Sequence, residues 1–216
     1  MFSIPPSPSP IRRGPTGSRR IALTFDDGPC ARTDEILDIL ASHDARATFF
    51  MIGKWVPEYE LVLRRLVDCG HEIGNHSFDH AELVGRPVRT IYQIARTARR
   101  VRAAVGSAPR LFRPPYTRFD AWVRLAVRIA RVRMVTWSVD PRDWSPTTTP
   151  AQVHDRVVGA VRDGDIVVLH ESETAGAPTL AALPSMLRAL QARGFRMVTV
   201  SELVGSEESE VRVPGG

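Results

Sequence analysis

Apolar and polar positions along this chain fall into short blocks whose period keeps changing. Ile21, Ala22, Leu23 and Phe25 form an apolar run that stops at Asp26, Asp27 and a Gly28-Pro29 turn, the pattern of a buried strand. From about Thr33 to His43 the period becomes helical: Ile36, Leu37 and Leu40 line one face, Thr33 stands as N-cap, and Asp34 and Glu35 suit the positive end of the dipole. Ala47-Thr48-Phe49-Phe50-Met51-Ile52 is a second run of strand length. A helix follows from about Pro57 to Cys69, with Pro57 in its first turn and Gly70 as its stop. Glu72-Ile73-Gly74-Asn75 reads as a short strand leading into the polar segment His76-Ser77-Phe78-Asp79-His80. Between Val88 and Val105, Ile91, Ile94, Ala98, Val101 and Val105 recur at helical spacing, and Gly106 ends the run.

The second half repeats the alternation. Leu111-Phe112 precedes Arg113-Pro114-Pro115-Tyr116, where two prolines force an extended loop. A helix is expected from about Asp120 to Ala130, and a strand over Met134-Val135-Thr136-Trp137. Thr149 caps a helix with Pro150 at its first position that runs to about Val161. Asp165–His170 is a buried strand, followed by a helix over 179–193, Gly194 and a strand over Arg196–Thr199. Strands that alternate with helices imply parallel βα units, and seven or so in one domain suit a single (β/α) barrel better than an open sheet. No internal repeat is detectable.

Composition adjusts this picture at the edges. The 216 residues, 43% hydrophobic, suffice for one sizeable core, taken here as residues 20–204. Residues 1–19, rich in Pro and Ser, read as a disordered or loosely docked arm, and 205–216, with Glu207, Glu208 and Glu210, as an acidic flexible tail. Two cysteines, Cys30 and Cys69, imply no disulfide framework. No run approaches transmembrane length. Pro5, Pro6, Pro8 and Pro10 break the N-terminus where a signal peptide has its apolar core, which favours a cytoplasmic setting; a trimmed chain would fit a secreted or cell-wall one. The net charge of +5 invites a nucleic-acid partner, but Arg96, Arg99, Arg100, Arg102, Arg124, Arg128 and Arg131 are scattered over helix faces without aromatic interleaving. Solvated faces explain them better, although they also favour anionic substrates or surfaces.

The candidate chemistry gathers where strands end. Two adjacent carboxylates, Asp26 and Asp27, repel each other unless a metal neutralises one or its pKa rises; the alternative is a plain turn before Gly28. Asp140, Asp143 and His170 also follow strands, on the face where parallel barrels assemble active sites. His76 and His80 stand four apart, so one helical turn would bring both imidazoles to one side. Two histidines and a carboxylate with an open fourth position form a catalytic zinc set.

Five segments in order resemble the polysaccharide deacetylases, carbohydrate esterase family 4, also called the NodB homology domain. They are Thr24-Phe25-Asp26-Asp27-Gly28, His76-Ser77-Phe78-Asp79-His80, Arg113-Pro114-Pro115-Tyr116, Asp140-Pro141-Arg142-Asp143-Trp144 and Val168-Leu169-His170. The resemblance implies a distorted barrel and a metal-dependent deacetylase of N-acetylated amino sugars in a glycan or glycoconjugate. Asp27, His76 and His80 would hold a divalent ion, zinc first, cobalt or nickel as alternatives. Asp26 would be the general base, His170 the acid, and the backbone N–H of Tyr116 the second oxyanion donor. Asp143 would orient His170 and Arg46 would pair with Asp143. Arg113 would anchor the Tyr116 loop or neighbouring carboxylates. Pro114, Trp144, Val168 and Leu169 would complete the substrate-binding set, with Trp144 and Val168 on the acetyl group. Three residues depart from the family pattern: Thr117 replaces the usual Gly, Val168 a Leu, and Glu171 an Asp. Two other readings stay open, a hydrolase of a non-sugar amide or O-acetyl ester, and a glycan-binding barrel without turnover.

Overall fold

The protein is described by a computed structural model that covers residues 9–205. Residues 1–8 of the expected arm, and the acidic tail beyond Gly205, lie outside them. Among the described residues there are seven strands: β1 (Arg20–Gly28), β2 (Ala47–Met51), β3 (Glu72–Asn75), β4 (Leu111–Phe112), β5 (Arg133–Met134), β6 (Ile166–His170) and β7 (Arg196–Met197). Seven helices accompany them: α1 (Ala31–Ala41), α2 (Glu60–Asp68), α3 (Pro87–Val105), α4 (Ala121–Ile129), α5 (Pro150–Ala160), α6 (Ala177–Ala192) and α7 (Val200–Leu203). The sheet runs β5-β4-β3-β2-β1-β6, with β7 on the start of β1, and every ladder is parallel. It curls into the distorted α/β barrel expected.

The alternation of side chains along β1 and β6 divides the core into two layers. Ile21, Leu23 and Phe25 with Val167 and Leu169 face outward under α1, α5 and α6, whereas Ala22 and Ile166 face inward with Phe50, Leu111, Val135, Val198 and Leu203. Both faces are covered, which is why these strands read as continuous apolar runs. Phe25 stacks on Phe49 with centroids 5.0 Å apart at the centre of the outer layer. Truncating either ring to Ala would cost about 3–5 kcal/mol.

The seam between β5 and β6 is closed by other chain. Val139 bridges Val167, and the segment just before β1 threads alongside: Ile11 bridges Val135, Arg13 bridges Asp165, and Arg13 Nε lies 2.8 Å from the buried Asp165 carboxylate. The described part of the arm, residues 9–19, is therefore a strap hydrogen-bonded to the barrel.

Several boundaries differ from expectation for local reasons. α1 starts at Ala31, so Thr33 is not its N-cap; the Cys30 N–H donates to Thr33 Oγ1 at 3.0 Å instead. A short 3-10 turn, Val56–Tyr59, precedes α2. The fifth and seventh strands shrink to two residues each, and Thr199 caps the short α7, which the apolar pattern did not announce. The buried stripe of α3 is Thr90, Gln93, Ile94, Thr97, Val101 and Ala104, so Ile91, Ala98 and Val105 are only partly covered. Part of that stripe packs on polar backbone, and a Cβ on Gly53 would fall 2.4 Å from Thr97 Oγ1.

Candidate active site

The first two carboxylates reach the same space through a backbone irregularity. Successive strand residues point to opposite faces, yet the β1–β2 register shifts between Asp26 and Gly28 and Asp27 takes a φ of 73°. Asp27 thereby swings to the side of Asp26. Its Oδ1 lies 3.2 Å from His80 Nε2 and 3.5 Å from His76 Nε2, and has no hydrogen-bond partner among the described residues. An orphaned, buried carboxylate oxygen facing two imidazole nitrogens is what a divalent cation needs, and the three donors lie within 4.8 Å of one another. His76 Nδ1 sits 2.8 Å from the Arg113 carbonyl, which fixes that N–H as donor and leaves Nε2 for the ligand. Burial lowers the pKa of both histidines, so both are neutral at pH 7. Burial also pushes the Asp27 carboxyl up, against the pull of His76 and with the Asp26 charge adding to it.

The two histidines do not meet through a helical turn. Residues 76–84 form a loop in which Ser77 and His80 have positive φ, and the loop is held by buried amides. Ser77 N–H donates to Asn75 Oδ1, while Phe78 and Asp79 N–H donate to Gln93 Oε1. Their rings lie 5.1 Å apart.

Asp26 has a different setting. It is buried against the wholly buried Arg113, whose Nη1 donates to Asp26 Oδ1 at 2.6 Å and to Thr24 Oγ1 at 2.8 Å. Burial works to raise the Asp26 pKa, but Arg113, followed by His76 and His170, outweighs it and holds the carboxyl below its usual range. His170 faces Asp26 across the β1–β6 ladder. Its Nδ1 lies 2.8 Å from Asp143 Oδ1, and its N–H donates to Asp143 Oδ2 at 2.7 Å. Burial opposes protonation of His170, yet the hydrogen bond and charge of Asp143, with Asp26 and Asp27 behind them, raise its pKa to about 9. Asp140 is exposed and accepts from Arg142 N–H, away from this histidine.

The Arg113-Pro114-Pro115-Tyr116 loop forms one wall. Pro114 is buried, and the exposed Tyr116 ring meets His80 edge-on at 4.6 Å. Tyr116 and Thr117 both have positive φ, 57° and 50°. The turn closes through Thr117 N–H to Pro114 O and Arg118 N–H to Pro115 O, which leaves Tyr116 N–H out of these bonds. Val168 shares the inward face with His170, and Trp144, next to Asp143, is half exposed.

Two expected site residues lie elsewhere. Arg46 stands before β2, at the end of the barrel opposite Asp143, and pairs with Glu202 at 2.6 Å. Leu169 alternates with His170 and packs outward in the helix-covered layer, so it does not line the site. Conversely, two contributors carry no motif, and a third, Glu171, was noted only as a departure from the family pattern. Thr179 Oγ1 donates to Asp143 Oδ2, and Gln93 holds the histidine loop. Glu171 is wholly buried behind Gly28, accepts from Thr33 Oγ1 at 2.6 Å and leaves Oε1 unpartnered; burial pushes its pKa up to about 8. A Cβ on Gly28 would fall 1.8 Å from that oxygen. A polar residue interrupting the apolar stripe of α3 was the one available signal for Gln93.

Known proteins resemble this chain in sequence and shape. The family model described as polysaccharide deacetylase matches residues 13–135. A chitooligosaccharide deacetylase of Sinorhizobium fredii is 38% identical over 198 residues, covering 86% of this chain and 92% of the relative. A peptidoglycan-N-acetylglucosamine deacetylase of Listeria monocytogenes is 34% identical over 192 residues, 88% of this chain; the chain spans only 40% of that relative's length. A family 4 acetyl xylan esterase from Clostridium thermocellum, solved with a cobalt ion, superposes with a TM-score of 0.81 at 34% identity, covering 87% of this chain and 91% of its own. The match of the family model to more than half the residues, and of full-length relatives to most of them, places the chain in the polysaccharide deacetylase family.

Proposed function

We propose that the protein is a divalent-metal-dependent hydrolase that removes acetate from N-acetylglucosamine units of a glycan. The observation that carries this reading is the opposite poise of two groups on one rim: Asp26 is held ionised by Arg113, and His170 is held protonated by Asp143. Amide hydrolysis needs a base that takes a proton from water and an acid that returns one to the departing amine. Asp27, His76 and His80 would hold the ion, for which two imidazoles and a carboxylate suit zinc, with cobalt or nickel as substitutes. Such an ion supplies Lewis acidity, activating water and polarising the acetyl carbonyl. Asp26 accepts the water's proton through Oδ2, since Oδ1 is engaged by Arg113. Tyr116 N–H offers a donor to the developing oxyanion. His170 Nε2 protonates the sugar amine, and Asp143 keeps the Nδ1 proton in place.

The names of the Listeria and Sinorhizobium relatives support an N-acetylglucosamine-containing substrate, while the Clostridium esterase supports a second reading, removal of O-acetyl groups. The zinc-loaded protein should release acetate from tetra-N-acetylchitotetraose or peptidoglycan, and Asp26→Asn should keep the metal yet lose roughly 10²–10⁴-fold in rate. His76→Ala should lose metal and activity together. Acetate from acetylated xylan alone would move the assignment to the ester reading, and no acetate from any of the three would sink both.

A further inference from the structure

Residues 83–139 hold thirteen arginines, no lysine and a single acid, Asp120. The rest of the chain, with sixteen basic and twenty-three acidic residues, is net negative. The positive excess therefore belongs to one quarter of the molecule, built from α3, β4, α4 and β5. Arg113 is buried on Asp26, Arg118 pairs with Glu82, and Arg89 lies 3.8 Å from Asp79. Seven others are exposed: Arg86 at the start of α3, and a group of six, Arg99, Arg100, Arg102, Arg110, Arg131 and Arg133. The six converge from three stretches of chain. The first three stand on the last two turns of α3, Arg131 and Arg133 flank the junction of α4 with β5, and Arg133 N–H donates to the Arg110 carbonyl at 2.8 Å. All six sit where strands begin, at the end opposite Asp26 and His170.

Helix C-termini favour cations, which accounts for Arg102 but not for Arg110, for Arg133 or for the missing acids. Soluble helix faces ordinarily interleave both signs. The same quarter also exposes large apolar side chains: Val88 (79%) and Tyr92 (56%) on α3, Trp122 (54%) and Ile129 (58%) on α4. Helical spacing puts Val88, Tyr92, Arg99 and Arg102 on one outward stripe of α3, and Trp122 and Ile129, seven apart, on one side of α4. Aliphatic side chains give nothing to a polyanion in water, whereas arginines mixed with Trp, Tyr and Ile suit the headgroup region of a bilayer.

We propose that this quarter is a docking surface for an anionic lipid bilayer, with the arginines on headgroup phosphates and Trp122, Ile129 and Tyr92 in the interfacial layer. Docking through α3, α4 and the strand-start end leaves the rim with Asp26 and His170 open to solvent. This reading does not depend on the reaction, because its test measures binding.

The test is flotation of the full chain with phosphatidylcholine vesicles, plain or with one-third phosphatidylglycerol. Binding should require phosphatidylglycerol and fall away at 1 M salt, where the Debye length is about 3 Å. The triple variant Arg99→Glu, Arg102→Glu, Arg133→Glu should bind on the order of 100-fold more weakly, with Arg188→Glu on α6 as the unaffected control. Acetate release from a soluble substrate, or the thermal midpoint, shows that the variants are folded, and Arg→Gln versions at the same three sites give a milder second series. Trp122→Ala with Ile129→Ala should weaken vesicle binding several-fold and leave retention on a soluble polyanion, a short DNA duplex, unchanged. Binding indifferent to phosphatidylglycerol, or lost equally in Arg188→Glu, would overturn the proposal. So would vesicle binding that ignores the Trp122 and Ile129 substitutions, which would reduce the quarter to a general polyanion attractor.

Discussion

Asp26 and Asp27 are neighbours of one type in opposite circumstances, and the difference lies in what each oxygen faces. Arg113 neutralises Asp26 at 2.6 Å, so its charge persists although it is buried, whereas Asp27 Oδ1 has only imidazoles before it. A similar contrast separates His170 from His76 and His80. All three lose hydration, but only His170 has Asp143 against its Nδ1, and only its pKa rises. Asp143→Asn removes that charge with almost no change in volume, so the pKa of His170 must fall. The alkaline limb of kcat/KM in the metal-loaded enzyme should then move to lower pH by at least one unit, equivalent to about 1.4 kcal/mol. A pH–rate profile of an active Asp143→Asn enzyme with an unmoved alkaline limb would rule out His170 as the group that titrates there.

At the level of elements, the long buried strands were legible because both their faces are apolar, as in β1, β2 and β6. The two-residue strands were not, since pairs such as Arg133–Met134 carry no periodicity and exist only because neighbours extend a ladder to them. The site was legible where its residues stand close in sequence at strand ends. It was not legible where a role depends on which end of a strand a residue occupies. Arg46 and Asp143 are separated by the length of β2, five residues or about 17 Å. Leu169 could have been excluded by period two alone, because the residue next to an inward histidine must face outward. The loop before α4 yields a prediction of its own. Thr117 holds a φ of 50°, which disfavours a β-branched residue by about 1–2 kcal/mol, and its buried Oγ1 has no partner. Thr117→Gly relieves both and loses some entropy advantage, so the thermal midpoint should rise by the equivalent of about 1 kcal/mol; a lower midpoint would show that Thr117 makes favourable contacts outweighing its strain.

For the whole molecule, Glu171 sets a pH limit. Its folded pKa of about 8 lies above an unfolded value near 4.5, so the folded state binds its proton more tightly. The stability tied to that proton is complete below the unfolded value and is lost as pH rises through about 8. Glu171→Gln keeps the size and neutrality without the ionisation. In metal-free protein the variant should therefore gain on wild type from pH 5 to pH 9, by a few kcal/mol at the upper end. Denaturant midpoints that run parallel across that range would mean Glu171 is ionised without penalty.

The position of β1 in the sheet has a consequence for the growing chain. It is the first strand made, yet only one of its edges meets β2, which follows within some twenty residues; β7 takes the start of that edge and β6 the whole other edge, both from near the far end of the sequence. At roughly 5–20 residues per second of synthesis, Asp26 emerges on the order of 10 s before His170 exists to face it. One edge of the strand that carries both aspartates stays open for that interval. On the proposed roles, the three metal ligands would all be made by residue 80, whereas the proposed acid comes more than a hundred residues after the proposed base. On that reading a nascent chain would gather the ligands for an ion long before it could turn over a substrate, which would wait for the barrel to close.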